Sequence, residues 1–456
     1  MLITHGTTMV KHRRKHAADP IITTSTELLQ RARAIIPCAT QTLAKGPAQY
    51  VEGIAPNYLK RGKGCHVWDV DGNEYIDCTM AVGPISLGYA FDEVDAAIRA
   101  QLADGITFSL MHPLEVEVAE LVRDVVPHVE AVRFSKTGCD VTSAAVRLAR
   151  AYTGRSTILC CGYHGWHDWY IGVTDRNAGI PHAVRDMTYT FAYNDIQSVY
   201  DAIDDDTAAI ILEPMVFDAP LNDFLGELRQ ICDERRIVLI FDEMWTGFRI
   251  SLGGAQELFD VKADLMCFSK AIANGMPISV LAGRADIMSQ LEHDVFFFTT
   301  FGGEALSLAA AKTTINVMRS RDVIGTIART GAMLRDGYNS IAAEFGIAYS
   351  QAKGHPSRSI ITFDASAADP LLMKSYVQQE MIRRGILWGG FHNVSYSHTP
   401  SDVQRILEAY RDVLPLLDHA VRSGSLATDV RGIPVAPVFR RTSNFNMKPK
   451  RHEVAA

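Results

Sequence analysis

Apolar residues recur along the middle of the chain in two patterns, one helical and the other typical of buried strands. The spacing of Val141, Ala145 and Leu148 predicts a helix over 140–152, and a second helix is predicted over 195–203. Short unbroken apolar runs predict strands at 156–161, 208–212, 237–241, 265–268 and 278–282. Strands that alternate with helices predict an α/β fold with a largely parallel sheet covered on both faces.

Ligands of such sheets bind at the carboxyl ends of the strands, and two predicted strands end in residues that carry chemistry. The run 265–268 leads through Ser269 to Lys270, and the run 237–241 is followed directly by Asp242. A lone lysine after a strand more often extends into solvent. A lysine and an acid at neighbouring strand ends are the pair that pyridoxal phosphate (PLP) chemistry needs: the lysine forms the Schiff base, and the acid keeps the pyridine nitrogen protonated.

Two loops supply what a flat, phosphorylated cofactor would need in addition. Gly138 and Cys139 stand between an apparent strand and the helix 140–152, where backbone amides can bind a phosphate. Tyr163 follows the run 156–161 between glycines and is placed to stack on a flat ring. Taken singly, an ordinary turn and an aromatic loop packed on the core would explain these two signals equally well.

Four motifs in this order resemble the class III, fold-type-I, PLP-dependent aminotransferases, and within them the glutamate-1-semialdehyde aminomutases. The motifs lie at 67–77, 163–165, 242–249 and 268–277, and the resemblance extends over about residues 37–440. It implies a large PLP-binding domain with a mostly parallel sheet and a smaller α+β domain made from both ends of the chain. The expected division is an N-terminal arm (1–36), an N-terminal segment of the small domain (37–85), the PLP domain (86–330), the C-terminal small domain (331–440) and a tail (441–456).

The resemblance also implies roles for single residues. Lys270 would be the Schiff-base lysine and the base that moves the α-proton, and Asp242 would face the pyridine nitrogen. The further cofactor contacts that it implies are Gly138, Cys139, Tyr163, Glu213, Met244 and Thr300. Thr300 is expected to reach the phosphate of a neighbouring subunit, which implies a homodimer with shared active sites.

The chain departs from the aminomutases at three places. Cys139 replaces a hydroxyl residue in the phosphate loop, and Lys45 falls at the position of the arginine that binds the substrate carboxylate. His392 and Asn393 stand where an acid of the pocket is expected. These differences argue against the aminomutase itself and leave Lys45, His392 and Asn393 as the expected substrate contacts.

The sequence is also similar to a side branch of aminotransferases from sugar, capsule and secondary-metabolite (antibiotic) pathways. This likeness implies transfer of an amino group from L-glutamate to a ketone or aldehyde; 3-dehydroshikimate, which would give 3-aminobenzoate, is one acceptor known for that branch. The alternatives left open are the 2,1-aminomutase, a PLP-dependent racemase, epimerase or decarboxylase, and a non-catalytic binding relative. The last would be expected to lack Lys270 or Asp242.

Composition narrows the class of protein and its location. The 456 residues carry a formal net charge of -7, which offers no basic field for nucleic acid. No apolar run approaches the roughly 20 residues that span a bilayer, and no signal-peptide pattern is present at the N-terminus. The eight cysteines show no Cys-x-x-Cys spacing, so we expect reduced thiols, no metal site and a cytoplasmic protein.

Overall fold

The structure, a computed structural model, describes residues 17–437. Its strands are β1 (Leu59–Lys63), β2 (His66–Asp69), β3 (Glu74–Asp77), β4 (Ala131–Ser135), β5 (Thr157–Cys161), β6 (Thr188–Thr190), β7 (Thr207–Leu212), β8 (Val238–Asp242), β9 (Leu265–Phe268), β10 (Ser279–Gly283), β11 (Ser350–Lys353), β12 (Arg358–Phe363), β13 (Ile386–Leu387) and β14 (Phe391–Asn393).

The α-helices surround these strands. They are α1 (Thr23–Ile35), α2 (Asp92–Asp104), α3 (Pro113–Val125), α4 (Gly138–Thr153), α5 (Asp168–Ile171), α6 (His182–Arg185), α7 (Ile196–Ala202), α8 (Phe224–Arg235), α9 (Ala255–Phe259), α10 (Ala285–Met288), α11 (Ala305–Ser320), α12 (Val323–Glu344), α13 (Pro370–Ile382), α14 (Pro400–Ser423) and α15 (Leu426–Asp429). No helix within residues 17–437 is both long and apolar enough to cross a membrane.

A seven-stranded sheet forms the centre of the molecule, in the order β4-β10-β9-β8-β7-β5-β6. Strand β10 runs antiparallel to both of its neighbours, and the other strands are parallel to one another. Every residue of β7 and β8 is buried, as expected for apolar strands that are covered by helices on both faces. The predicted α/β fold is confirmed, and each predicted strand matches an observed one to within a few residues.

Both ends of the chain contribute to a smaller unit beside this sheet. Strands β1, β2 and β3 form a sheet with β13, which pairs in parallel with β3 although it lies far along the chain. Strands β11, β12 and β14 form a second, antiparallel sheet, against which α12 and α13 pack. The start of β12 and the end of β14 are thereby placed near the functional edge of the large sheet.

The structure differs from the expected division of the chain in two places. The residues 23–35 of the expected arm form helix α1, and the amides of Thr24 and Ser25 donate to the carboxylate of Asp71. The boundary expected at 330 falls inside α12, which is continuous from Val323 to Glu344. The first 16 residues and the tail 441–456 lie outside the described residues.

Arg249, which is 1 % exposed, joins the two sheets and the N-terminal segment. Its Nη2 donates to the carbonyl of Gly83 at 2.7 Å, and its Nη1 donates to the carbonyls of Val394 at 3.0 Å and Ser357 at 3.5 Å. Burial lowers the pKa of Arg249 to about 10. The guanidinium therefore fixes the ends of β12 and β14 relative to the loop that follows β8.

Replacing Arg249 with Met should lower the free energy of unfolding by about 3 kcal/mol or more, because buried carbonyls lose a charged donor. Urea denaturation measures this change. A matched control is Arg411→Met, which removes an arginine whose ion pair with Glu344 is half exposed. The control should cost less than about 1 kcal/mol. Equal shifts in the two variants would contradict the structural role of Arg249.

Candidate active site

Lys270 lies just beyond the carboxyl end of β9 and points its amine at an aromatic ring. The preceding Ser269 is anchored by its hydroxyl, which donates to the carbonyl of Ile278 at 2.7 Å. Lys270 itself adopts φ +47°, a strained value for a residue other than glycine, and its Nζ lies 4.0 Å from the centroid of the Trp245 ring. Burial, with repulsion from Arg358, lowers the pKa of Lys270 to about 8. The amine therefore becomes neutral, and hence nucleophilic, far more readily than a surface lysine.

Asp242 ends the neighbouring strand β8 and is 2 % exposed. One carboxylate oxygen accepts the backbone N–H of Met244 at 3.1 Å, and the other lies 2.8 Å from Nδ1 of His164. His164 is itself buried and stacks on Trp169, with ring centroids 6.0 Å apart. With Nδ1 as the donor, the histidine fixes the direction of the Asp242 carboxylate.

The loops after β5 and β7 meet through a backbone hydrogen bond. The N–H of Tyr163 donates to Oε1 of Glu213 at 2.6 Å, and Glu213 is 6 % exposed. Gly162 has φ +114°, and a Cβ there would lie 2.8 Å from the same oxygen, so only glycine fits. The Tyr163 ring packs edge-on against Tyr170, with centroids 5.6 Å apart. Glu213 thus holds the loop that presents the Tyr163 ring.

The N-terminus of α4 forms a cradle of backbone amides. Asp140 closes the turn before it, because one of its carboxylate oxygens accepts the Thr137 N–H and the Ser135 hydroxyl, both at 2.8 Å. Gly138 begins the helix, and a Cβ on it would lie 3.0 Å from Sδ of Met244. The Cys139 thiol lies 3.1 Å from the Thr137 hydroxyl. The helix start therefore combines the positive end of a 16-residue helix with small side chains, which suits a phosphate.

These residues together fit pyridoxal phosphate. A partly buried amine with a lowered pKa, a fixed carboxylate and a helix N-terminus all lie at the same edge of the sheet. Lys270 would carry the cofactor, Asp242 would hold its pyridine nitrogen, and the amides at Gly138 and Cys139 would hold its phosphate. Met244 links the last two groups, since its N–H binds Asp242 and its sulfur borders Gly138.

Two residues expected to bind substrate lie in the small unit and are engaged by protein groups. His392 is buried, with Nδ1 3.0 Å from the Ser359 hydroxyl and Nε2 2.7 Å from the Tyr410 hydroxyl. Burial lowers the pKa of His392 to about 3, so it stays neutral. Asn393 donates through Nδ2 to the carbonyl of Thr79 at 2.9 Å. The structure leaves neither nitrogen of His392 for a substrate, because the ring is part of the core.

Lys45 and Thr300 are both exposed in the single chain. Lys45 ends a short helical turn that packs beside the turn Met80–Val82, next to the N-terminal side of the site. Thr300 stands between two exposed phenylalanines on the segment before α11. Their assignments to substrate and to the neighbouring phosphate remain predictions.

Three residues of the site, His164, Trp245 and Arg358, were not predicted from the sequence. His164 was visible inside the motif 163–165, but its bond to Asp242 depends on two loops that are distant along the chain. Trp245 follows Met244, and its ring lies 3.4 Å from Cζ of Arg358. Arg358 begins β12 in the small unit. No local pattern marks Arg358, since it comes to the site only through the packing of the two units.

The sequence profile of the class III aminotransferases matches residues 51–400. A 3-aminobutyryl-CoA aminotransferase from Cloacimonas acidaminovorans is 35 % identical over 404 residues, which are 86 % of this chain and 96 % of that protein. A glutamate-1-semialdehyde 2,1-aminomutase from Sulfurihydrogenibium sp. is 37 % identical over 314 residues, 64 % of this chain and 73 % of that protein.

Solved structures agree with the sequence relatives. The FumI protein of Sphingopyxis sp. MTA144, in its PLP internal aldimine form, superposes with a TM-score of 0.81 at 30 % identity, covering 88 % of this chain and 97 % of that one. An omega-transaminase from Sphaerobacter thermophilus gives a TM-score of 0.77 at 26 % identity, covering 90 % and 98 %. Each match covers at least 88 % of this chain, which is more than the large sheet alone.

The lowered pKa of Lys270 can be measured by acylation in protein stripped of cofactor. Labelling of Lys270 should rise with pH around a midpoint near 8, because only the neutral amine reacts and burial disfavours the ammonium form. Mass spectrometry of the Lys270 peptide gives the midpoint. Lys262, exposed on the loop before β9, is the internal reference. If both lysines are labelled over the same pH range, the inferred environment of Lys270 is wrong.

Proposed function

We propose that this chain, which belongs to the class III aminotransferase family, transfers an amino group from L-glutamate to a ketone or aldehyde of a biosynthetic pathway. It is a PLP-dependent aminotransferase, and the donor and acceptor are the proposed part. The observation that carries the proposal is the pairing at adjacent strand ends: the Lys270 amine beyond β9 and the fixed Asp242 carboxylate on β8.

Each protein group has a defined task in this reaction. Lys270, with a pKa of about 8, can take a proton from the carbon that bears the amino group and return it to another position. Asp242, oriented by His164, keeps a proton on the nitrogen that it faces. Bound there, PLP supplies the electron sink that makes this proton removable. The Trp245 ring packs against the amine, with its centroid 4.0 Å from Nζ.

One observation favours transfer between two substrates over an intramolecular shift. His392, at the position where the aminomutases have their pocket acid, is taken up in the core by Ser359 and Tyr410. The acceptor that we propose to test first is a cyclic keto acid such as 3-dehydroshikimate, beside amino-sugar precursors and glutamate semialdehyde.

The donor is tested by mixing the PLP-loaded enzyme with L-glutamate alone. We expect release of one 2-oxoglutarate per active site, with loss of the visible absorbance of the cofactor, because the amino group stays on the enzyme until an acceptor arrives. Lys270→Ala is the control and should release none. Exchange of the α-proton without 2-oxoglutarate would indicate a racemase, and turnover of glutamate-1-semialdehyde with no second substrate would indicate an aminomutase.

We also propose that the enzyme is a homodimer. Large apolar side chains are exposed on two segments that a backbone hydrogen bond joins, from the Ala305 N–H to the carbonyl of Ile106 at 2.9 Å. They are Leu110 (80 % exposed), Met111 (82 %), Phe296 (76 %), Phe298 (68 %) and Phe301 (57 %). Exposed apolar clusters of this kind are typical of subunit interfaces. Thr300 lies within this cluster, which is consistent with a contact to the phosphate of the second subunit.

Placing a charge in this apolar cluster should separate the subunits. Phe298→Glu is expected to shift the mass in light scattering from dimer to monomer and to weaken retention of PLP, since burying an unpaired carboxylate is costly. The matched control is Met333→Glu on α12, where an equally apolar side chain is 51 % exposed away from the cluster. A wild-type monomer, or a Phe298→Glu dimer with full PLP, would contradict the shared site.

A further inference from the structure

Two arginines lie near the active site, Arg249 fully buried and Arg358 partly exposed, and they differ in how their donors are used. Arg249 directs its two terminal nitrogens at backbone carbonyls. Arg358 has Nε and Nη1 buried with no hydrogen-bond partner in the described chain, and it forms no ion pair with any residue from 17 to 437. Arg249 is therefore a structural tie, whereas the positive charge of Arg358 has no partner among residues 17–437.

Aromatic rings hold the Arg358 guanidinium in place. Its Cζ lies 3.4 Å from the centroid of the Trp245 ring and 4.3 Å from that of Phe217. Its backbone is fixed as well, because Arg358 pairs with Asn393 in the sheet. A guanidinium that packs against rings keeps its N–H donors in the plane of the group, directed away from the ring faces. The donors of Arg358 are thus fixed in direction before any ligand arrives.

The nearest acid that influences Arg358 is already engaged. Glu213 raises the pKa of Arg358, but desolvation outweighs it, and the net pKa is lowered to about 9. One oxygen of Glu213 accepts the Tyr163 N–H. No carboxylate in the described residues lies within ion-pair distance of Arg358. A second anion is needed to neutralise this guanidinium fully.

Arg358 is also close to the reacting group. The Lys270 amine and the Arg358 guanidinium both contact the Trp245 ring, at 4.0 Å and 3.4 Å from its centroid. Among the charged groups that act on Lys270, Arg358 is the strongest. Both cations therefore lie within a few ångströms of one ring, and a group that binds Arg358 lies near the carbon that meets Lys270.

From this arrangement we infer that Arg358 binds a carboxylate of the substrate, near the carbon that exchanges its amino group. A carboxylate satisfies guanidinium donors with charge-assisted hydrogen bonds and restores the missing negative charge. The substrate class is then an α- or β-amino acid and the keto acid that corresponds to it. This inference rests on the proposed aminotransferase function, and it gives Arg358 the task that the sequence comparison assigned to Lys45.

The first test compares donors that differ in the carboxylate. PLP-loaded wild type, Arg358→Gln and Arg358→Lys are mixed with L-glutamate, 3-aminobutyrate or 2-aminobutane, which has no carboxylate. For the glutamine variant we expect the half-saturating concentration of its carboxylate donor to rise about 100-fold, with a smaller change in the limiting rate. The value for 2-aminobutane should stay within about threefold of wild type. Reaction of the wild type with L-glutamate would identify the substrate as an α-amino acid, and reaction with 3-aminobutyrate would identify it as a β-amino acid.

The second test measures binding without reaction. Calorimetry with glutarate, which has neither an amine nor a ketone, should show binding to the PLP-loaded wild type and about 100-fold weaker binding to Arg358→Gln. Glutaramide, its uncharged analogue, should not distinguish the two proteins. Lys353→Gln is the matched control, because Lys353 lies on the neighbouring strand and its ion pair with Asp218, at 3.6 Å, is exposed. It should bind glutarate like the wild type.

The outcomes separate this inference from the proposed function. If L-glutamate fails to react but glutarate binds and needs Arg358, the donor is wrong and the carboxylate site stands. If wild type binds no glutarate, or Arg358→Gln binds it normally, the inference is overturned. It is equally overturned if Arg358→Gln loses affinity for the acids and for 2-aminobutane to the same extent, because that would indicate a structural role for Arg358. Should Arg358→Gln not fold, Arg358→Lys decides, since it keeps the charge but loses the planar donors and should weaken glutarate at least about tenfold.

Discussion

The proposed chemistry of this protein depends on two partly desolvated cations that pack against one indole ring. Lys270 and Arg358 both contact Trp245, and neither forms an ion pair within residues 17–437. Desolvation lowers the pKa of both groups, and their mutual repulsion lowers that of Lys270 further. One consequence is an amine that loses its proton near neutral pH. The other is a fixed guanidinium, that of Arg358, which can bind an anion.

The fold holds these groups in position through contacts between the large sheet and the small unit. The large sheet supplies Asp242 and Lys270 from adjacent strands, so their separation is set by the sheet itself. The small unit supplies Arg358, and Arg249 ties that unit to the large sheet through carbonyls on both sides of the junction. Cofactor groups thus come from one unit, and the proposed substrate group comes from the other. A family can keep the first set and vary the second, which is how one fold serves many amino acceptors.

Much of the fold and of the cofactor site could be predicted from the sequence. The strands were recognisable because β7, β8 and β9 are buried on both faces and therefore read as unbroken apolar runs. Lys270 and Asp242 were recognisable because a lysine and an acid stand at the ends of such apolar runs. The helix within the arm was not predicted, since a polar helix such as α1 is held by Asp71 and not by a clear apolar face.

The sequence by itself determined the class of fold, the cofactor and the residues that lie at strand ends, because these follow from short-range patterns of burial and from motifs. Tertiary structure alone decided which polar side chains are hydrogen-bonded in the core and which reach the candidate active site. His392 was expected in the pocket but lies in the core, where Ser359 and Tyr410 satisfy it. Arg358 carried no local signal, and it reaches Trp245 because two distant segments pack together. Whether a polar side chain is hydrogen-bonded within the protein or can bind a ligand depends on these long-range neighbours.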